Sequence, residues 1–156
     1  MSETETTEPE EPSTTEPAEP STPTFLETFA IAVKTIVDAL GTSATVAFVA
    51  AYDTTRGSDR AVTIVPSGYG FKRAGRFLLD SRVVVEVVIV KRTTDFATEA
   101  DYAREVALQL ADQNIIVDGI TYFVEDINVE PDPEQLESNV YSVVVTVEYK
   151  ATATYG

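Results

Sequence analysis

The chain has 156 residues, 44% of them hydrophobic, and its 26 acidic against 11 basic residues give a formal net charge of −15. That length and apolar content allow the core of one domain, whereas the negative field repels phosphate backbones and disfavours nucleic-acid binding. With no Cys, disulfides and thiolate metal sites are excluded. The sequence has no apolar run long enough for a membrane span, and its N-terminus lacks the basic residues followed by an apolar stretch that mark a signal peptide. Neither feature is therefore predicted.

The N-terminal segment 1–23 is rich in Glu, Pro and Thr. The first 24 residues hold seven Glu and five of the eight prolines, with no Lys or Arg and no apolar periodicity. Such a segment cannot bury enough apolar surface to offset its ordering entropy. We therefore expect a disordered acidic tail over 1–23 and a single α+β domain over 24–156.

A helix is predicted to begin directly after Pro23. Thr24 and Glu27 match a capping box, in which each side chain satisfies an otherwise unpaired backbone N–H. Apolar residues then recur at helical spacing as far as Leu40, and Gly41 suits the left-handed turn that ends a helix.

Three strands are predicted next. Residues 44–52 and 61–65 have strand composition and are separated by the polar loop 53–60, while Pro66 and Gly68 are expected to end the second strand. Residues 82–92 predict a longer strand, with Glu86 on the face opposite the apolar row formed by Val83, Val85, Val87 and Ile89.

A second helix and two further strand regions complete the chain. Thr98 with Asp101 is a candidate cap, and the inward face of the helix would be Tyr102, Ala103, Val106, Ala107 and Leu110. Strands are expected at about 115–129 and 139–151, with Glu148 opposite the apolar row of the last. The order α-β-β-β-α-β-β predicts an α+β fold, a largely antiparallel sheet of about five strands with both helices on one face.

The stretch PSGYGFKRAGRF, residues 66–77, contains part of an RNA-recognition signature in its Gly-Tyr-Gly-Phe core. A full match needs a basic residue at 67 and an aromatic at 74, where this chain has Ser67 and Ala74. Pro66 and the glycines favour a loop over a strand. RNA binding is therefore disfavoured, and no phosphate-binding glycine loop is present either.

Catalytic chemistry has little to draw on in this sequence. The chain lacks His and Cys, so the commonest general base and the thiol nucleophile are missing. One group of acids is dense, but it lacks calcium-loop spacing and surrounds two prolines, which is typical of a solvated turn: Asp118, Glu125, Asp126, Glu130, Asp132 and Glu134. We expect neither an enzyme nor a cofactor.

Cations are concentrated in the middle of the chain. Six of the eleven fall within 27 residues: Arg56, Arg60, Lys72, Arg73, Arg76 and Arg82. A solvated loop explains such charge, but Phe71 and Phe77 beside the cations favour a protein interface. The predicted docking loop, within 67–80, is Phe71, Lys72, Arg73, Arg76 and Phe77.

From Phe25 to the C-terminus, the order of residues resembles the neck or tail-terminator proteins of tailed bacteriophages. The resemblance lies in the leading helix, the strand 62–66 ending in Pro, and the basic loop 72–76. It continues in the Val-rich strand closing on Lys91-Arg92, the turn 128–137 and the last strand, 142–149.

That resemblance implies a virion ring, usually a hexamer, which caps the tail tube protein and joins it to the head-side connector while DNA passes through unbound. Arg56 and Arg60 would contact an acidic face of the next subunit, and the docking loop would meet a partner ring. Glu86 and Glu148 would face either the channel or the subunit seam. No membrane is involved. The alternative is a non-enzymatic adaptor or cell-surface protein-interaction domain.

Overall fold

The computed structural model describes residues 24–48, 59–131 and 139–154, so the acidic segment 1–23 lies outside the described residues. Two helices and six strands follow in chain order: α1 Phe25–Asp38, β1 Thr45–Val46, β2 Ala61–Arg73, β3 Leu78–Arg92, α2 Phe96–Ala111, β4 Ile115–Val117, β5 Ile120–Pro131 and β6 Val140–Thr154. The predicted α+β class is confirmed. Within these ranges, no helix is long and apolar enough to cross a membrane.

The six strands form one sheet in the order β1-β2-β3-β6-β5-β4. Neighbouring strands are antiparallel except for β1, which runs parallel to β2. At the centre, β3 pairs with β6 over the full length of both strands, from Leu78 opposite Thr154 to Arg92 opposite Val140. The sheet is therefore largely antiparallel, as predicted.

The sheet has six strands where about five were expected, because the region 115–129 is a hairpin. Asp118 and Gly119 form its turn, with φ of 52° and 78°, and separate β4 from β5. Two positive φ values suit the tight turn that matches the twist of an antiparallel pair, and Asp-Gly is a preferred sequence for it. Of the predicted first strand, 44–52, only Thr45 and Val46 are in β1, and 49–52 lie outside the described residues.

Helix α1 begins as its sequence predicts. The Thr24 hydroxyl accepts from the Glu27 N–H, and the Glu27 carboxylate accepts from the Thr24 N–H, each at 3.2 Å. The helix ends at Asp38, whose carboxylate accepts from Lys34 Nζ at 2.5 Å and from the Ala44 N–H at 2.8 Å. Asp38 thus ties the end of α1 to the chain that enters the sheet.

Helix α2 begins at Phe96, earlier than predicted, and its cap is Asp95 rather than Thr98 with Asp101. The Asp95 carboxylate accepts from both the N–H and the hydroxyl of Thr98, at 3.2 and 2.6 Å. Asp is among the best N-cap residues, so the earlier start is chemically sound. The predicted inward face is confirmed, since its residues are buried or packed against the core: Tyr102, Ala103, Val106, Ala107 and Leu110.

The core lies between the helices and one face of the sheet, which we call the helix side. The predicted apolar rows of β3 and β6 are buried there: Val83, Val85, Val87, Ile89, Tyr141, Val143, Val145, Val147 and Tyr149. Phe29 of α1 packs edge-on against Tyr122 and Tyr149, with ring centroids 5.2 and 4.9 Å apart. These contacts fix α1 on the sheet.

The opposite face of the sheet, which we call the outer face, carries the other row of each strand. Glu86 lies opposite Thr146, and Glu148 lies opposite Val84. A small apolar cluster occupies one end of this face: Val65, Val88, Val90 and Val140, with Val144 packed beside them. The outer face is therefore apolar at one end and charged along the rest.

Candidate interaction surfaces

The stretch predicted as a loop, 67–80, is the end of the β2–β3 hairpin, so that prediction was wrong. Strand β2 continues to Arg73 and β3 starts at Leu78. Between them, the N–H groups of Ala74 and Gly75 donate to the Leu78 carbonyl at 3.0 and 3.3 Å. Most of the residues predicted as a loop therefore lie in two paired strands.

The position of β2 explains why Pro66 does not end it. Beyond Ile64, β2 is an edge of the sheet within the described part of the chain, and strand edges tolerate Pro. A bulge between Pro66 and Gly68 absorbs the irregularity, and the Ser67 hydroxyl donates to the Val84 carbonyl at 3.2 Å. Pairing with β3 thus outweighs the local preference for a loop.

A row of aromatic side chains leads from the core to this hairpin on the helix side. The ring of Phe25 lies 5.8 Å from Tyr122 and 6.0 Å from Tyr69, and Tyr69 lies 5.8 Å from Phe71. Tyr122 is buried, whereas Phe71 is 61% exposed. The row therefore ends in an open aromatic surface.

Two cavities lie beside this row, and Phe25 and Tyr69 line both of them. The larger, of about 300 Å³, is bounded by Phe25, Tyr69, Phe71, Ser81, Val117, Asp118, Ile120 and Tyr122. The smaller, of about 260 Å³, is bounded by Thr24, Phe25, Leu26, Phe48 and Tyr69. Both are largely apolar and large enough for a partner's side chains.

The end of the hairpin combines cations with exposed apolar groups. Lys72, Arg73 and Arg76 are exposed there, and the Arg76 guanidinium lies 5.5 Å from the centre of the Phe77 ring. Phe77 is itself 55% exposed, beside the exposed Leu78. The structure therefore places the five predicted docking residues at one end of the hairpin, on both of its faces.

The two predicted subunit contacts have different outcomes. Arg56 lies outside the described residues. Arg60 donates through Nε and Nη2 to the two carboxylate oxygens of Glu99, each at 2.7 Å, and this hydrogen bonding raises its pKa further. It also lies 3.7 Å from the centre of the Tyr102 ring. The charge of Arg60 is thus satisfied within the chain, and the geometry gives no support to a subunit contact.

Glu99 is a buried carboxylate that was not among the residues predicted from the sequence. Its side chain is 1% exposed, and Lys91 Nζ lies 3.5 Å from it in addition to Arg60. The signal in the sequence was its position, because Glu99 precedes Tyr102, Ala103 and Val106 at helical spacing on the apolar face of α2. A charge on such a face needs a buried partner. Glu99, Arg60 and Lys91 anchor α2 to the sheet.

Glu148 is engaged in a charge network on the outer face. Arg82 Nη1 donates to it at 2.5 Å and Nη2 donates to Glu125 at 3.3 Å, while Lys150 lies 3.5 Å from Asp80 and 3.9 Å from Glu125. A hydrogen bond from the Thr152 hydroxyl holds the pKa of Asp80 below its usual value. The cations and carboxylates on this part of the outer face are therefore paired with one another.

Glu86, unlike Glu148, is not engaged in the charge network of the outer face. It lies on the outer face as predicted, half-buried, and forms no ion pair with any described residue. Of the predicted acidic turn, Asp132 and Glu134 lie outside the described ranges. Within those ranges no group of three or more acids is placed to hold a metal ion.

Comparisons with known proteins establish the fold. No family model and no curated protein matches the chain. A chain of the virion of a native gene transfer agent particle is 11% identical, with a TM-score of 0.53 over 80% of this chain and 94% of that one. A second solved structure is 18% identical, with a TM-score of 0.52 over 83% and 93%. The TM-scores show a shared fold, and at identities this low they show nothing more than the fold.

We expect Glu99→Gln to destabilise the fold by about 3 kcal/mol, because it leaves Arg60 and Lys91 without their buried anion. The measurement is the urea unfolding midpoint. Glu105→Gln, at an exposed position on the same helix, is the matched control and should change stability by less than about 0.5 kcal/mol. Equal effects of the two changes would contradict the anchoring role.

Proposed function

We propose that this chain is a structural protein of a phage or phage-like virion and acts as a tail terminator. In that role a ring of copies, a hexamer by the family resemblance, caps the tail tube and joins it to the head-side connector. The observation that carries the proposal is the fold, which is shared with 94% of a chain from a gene transfer agent virion. The resemblance of the sequence to neck and tail-terminator proteins supports the same class.

The role is one of contact rather than catalysis. The chain has neither His nor Cys, and its exposed side chains combine charge with apolar surface, as protein interfaces do. We therefore propose no enzymatic activity, cofactor or membrane attachment. The location proposed is the virion neck, with assembly in the host cytoplasm.

The hairpin end is the surface proposed to dock onto the tail tube. Lys72, Arg73 and Arg76 would face carboxylates of the partner ring. Phe77 would be the buried anchor, because it lies at the turn, whereas Phe71 packs against Tyr69 on the helix side. A hairpin paired along its length presents these groups with little loss of conformational freedom on binding.

The outer face is the surface proposed to face the channel. DNA leaving the head must slide through the ring, and cations on the wall would bind its phosphates and slow it. Glu86 is the acid best suited to this wall, since Glu148 already pairs with Arg82. The net charge of −15 acts in the same direction.

A non-enzymatic adaptor or cell-surface interaction domain is the second candidate. The two aromatic cavities beside α1 favour it, because they could seat apolar side chains of a partner without any ring. An adaptor would remain monomeric in the absence of its ligand, and this separates the two functions.

Replacing Lys72, Arg73 and Arg76 by Glu should weaken attachment to isolated tail tubes by about tenfold or more. Three exposed ion pairs of about 0.5 kcal/mol each supply that difference before any repulsion is added. The measurement is co-sedimentation of the purified protein with tubes, at low and high salt, because screening should weaken the wild-type contact. Arg104→Glu, at an exposed position of α2, is the control. Attachment unchanged by the triple change would refute the docking role.

Glu86→Lys should leave particle assembly intact but slow the release of DNA through the neck. Each added phosphate contact makes binding tighter and more dependent on salt. The readout is DNA ejected from purified particles over time at several salt concentrations, with Glu105→Lys on the exposed side of α2 as the control. Failed assembly would assign Glu86 to the subunit seam, and normal ejection at every salt concentration would remove it from the channel.

A further inference from the structure

The sheet has two open edges within the described ranges. Strand β1 pairs with β2 only at Thr63 and Ile64, and β4 pairs with β5 only at 120–122. Beyond their bulges, residues 69–73 of β2 and 127–131 of β5 form regular ladders on one side alone. We call 69–73 the basic edge and 127–131, with the adjoining Asp126, the acidic edge. Open edges of this kind are templates for another strand.

The two edges carry opposite charge. The basic edge includes Lys72 and Arg73, and the acidic edge includes Asp126 and Glu130. Two copies that met through like edges would place like charges beside one another, which is unfavourable across a strand pair. Contact between unlike edges removes that repulsion and replaces it with attraction.

The two edges also match face by face. Tyr69 and Phe71 lie opposite Val83 and Ser81, so they point to the helix side, and Lys72 points to the outer face. On β5 the same logic places Ile127 and Val129 on the helix side, because they pair with Val147 and Val145. Joining two sheets with their helix sides together would set aromatic beside aliphatic side chains.

The same alignment brings opposite charges together on the outer face. Asp126, Asn128 and Glu130 point there, because they pair with Glu148, Thr146 and Val144, and they would flank Lys72 of the other copy. A slip of one residue would exchange the faces and put Phe71 beside the acids. The pattern of side chains therefore selects a contact that keeps the faces aligned.

Strand direction agrees with this contact. Each step from β2 to β3, β6 and β5 is antiparallel, so β2 and β5 of one chain run in opposite directions. Copies related by rotation about an axis to which the strands are inclined by well under 90° keep the same sense of direction along that axis. The basic edge of one copy then meets the acidic edge of the next as an antiparallel pair, the more stable arrangement.

The two edges are offset along the strands. Gly70 lies opposite Arg82, Arg82 opposite Lys150, and Lys150 opposite Phe123, so the basic edge is level with the start of β5 rather than with 127–131. Strands that tilt relative to the ring axis produce an offset of this kind, as they do in closed barrels.

We propose that the basic edge of one copy pairs with the acidic edge of the next, so that the sheets continue from subunit to subunit around the ring. The partner is a second copy of this chain, and the inference rests on the proposed ring. Such a contact uses a different surface of each partner, as head-to-tail rings require. Where this pairing forms, Lys72 and Arg73 serve the contact between copies, and Arg76 and Phe77, beyond the basic edge, remain for the tail tube. Loss of tube attachment in the triple Glu variant is therefore read together with the oligomeric state of that variant.

Cysteine cross-linking tests the pairing directly, because the chain has no Cys of its own. Gly70 accepts a side chain, since a Cβ built there meets no atom within 4 Å. Gly70→Cys is combined in turn with Asp126→Cys, Asn128→Cys and Glu130→Cys, all on the outer face. Within one chain β3 and β6 separate the two edges, by about 14 Å in strand spacings. That exceeds the reach of a disulfide, about 7 Å between Cα atoms, so every link must join two copies.

At least one of the three double variants should give a ladder of linked chains under oxidation, ending at the copy number of the ring. Gly70→Cys with Val129→Cys, whose side chains point to opposite faces, is the matched control and should give none. Links in this control alone, or dimers of Gly70→Cys on its own, would overturn the proposed pairing.

The remaining outcomes separate this inference from the proposed function. Rings seen by negative-stain electron microscopy without links in any double variant would overturn the edge pairing and leave the ring. In that case the bulges and charges would serve to prevent the edges from pairing with another chain. Linked open chains without rings would support the edge pairing and contradict the tail-terminator role. Monomers without links would overturn both.

Discussion

The antiparallel ladder between β3 and β6 is the interaction on which the rest of the structure depends. Its fifteen residue pairs join β2 on one side to β5 on the other. Alternation along both strands gives one row to the helices and one to the outer face. Because β3 is paired from Leu78 to Arg92, the hairpin end continues the sheet, and its cations lie at the end of a paired ladder.

Several cations on or beside this ladder are paired within the chain. Arg82 and Lys150 lie opposite one another across it and pair with acids of the outer face, while Arg60 and Lys91 pair with the buried Glu99. Lys72 and Arg76 form no ion pair with any described residue. A chain of net charge −15 thus keeps a basic end. Opposite charges on opposite sides of one subunit favour head-to-tail association of copies.

Local patterns predicted the elements whose burial is periodic. The capping box of α1 and the alternation in β3 and β6 are confirmed, because each is a property of neighbouring residues. The loop predicted at the hairpin end is wrong, because the pairing that overrides Pro66 and Gly68 comes from β3, and tertiary context outweighs local propensity.

The site of Arg60 depends on a residue far away in the sequence. Its partner Glu99 lies 39 positions along the chain, and no local pattern links the two. The Asp118-Gly119 turn, by contrast, carried a recognisable signal inside a stretch assigned to one strand. Local sequence patterns therefore predicted the helices and the central strands, whereas the partners in the internal ion pairs could be identified only from the three-dimensional structure.

The proposed function depends on the formation of a ring by copies of this chain. The most direct test is native mass spectrometry of the purified full-length protein over a wide concentration range, with negative-stain electron microscopy of the same samples. The account predicts one closed species of fixed copy number with a central channel, because contacts between unlike surfaces stop growing only when the ring closes. A monomer at every concentration, or filaments of unlimited length, would contradict it.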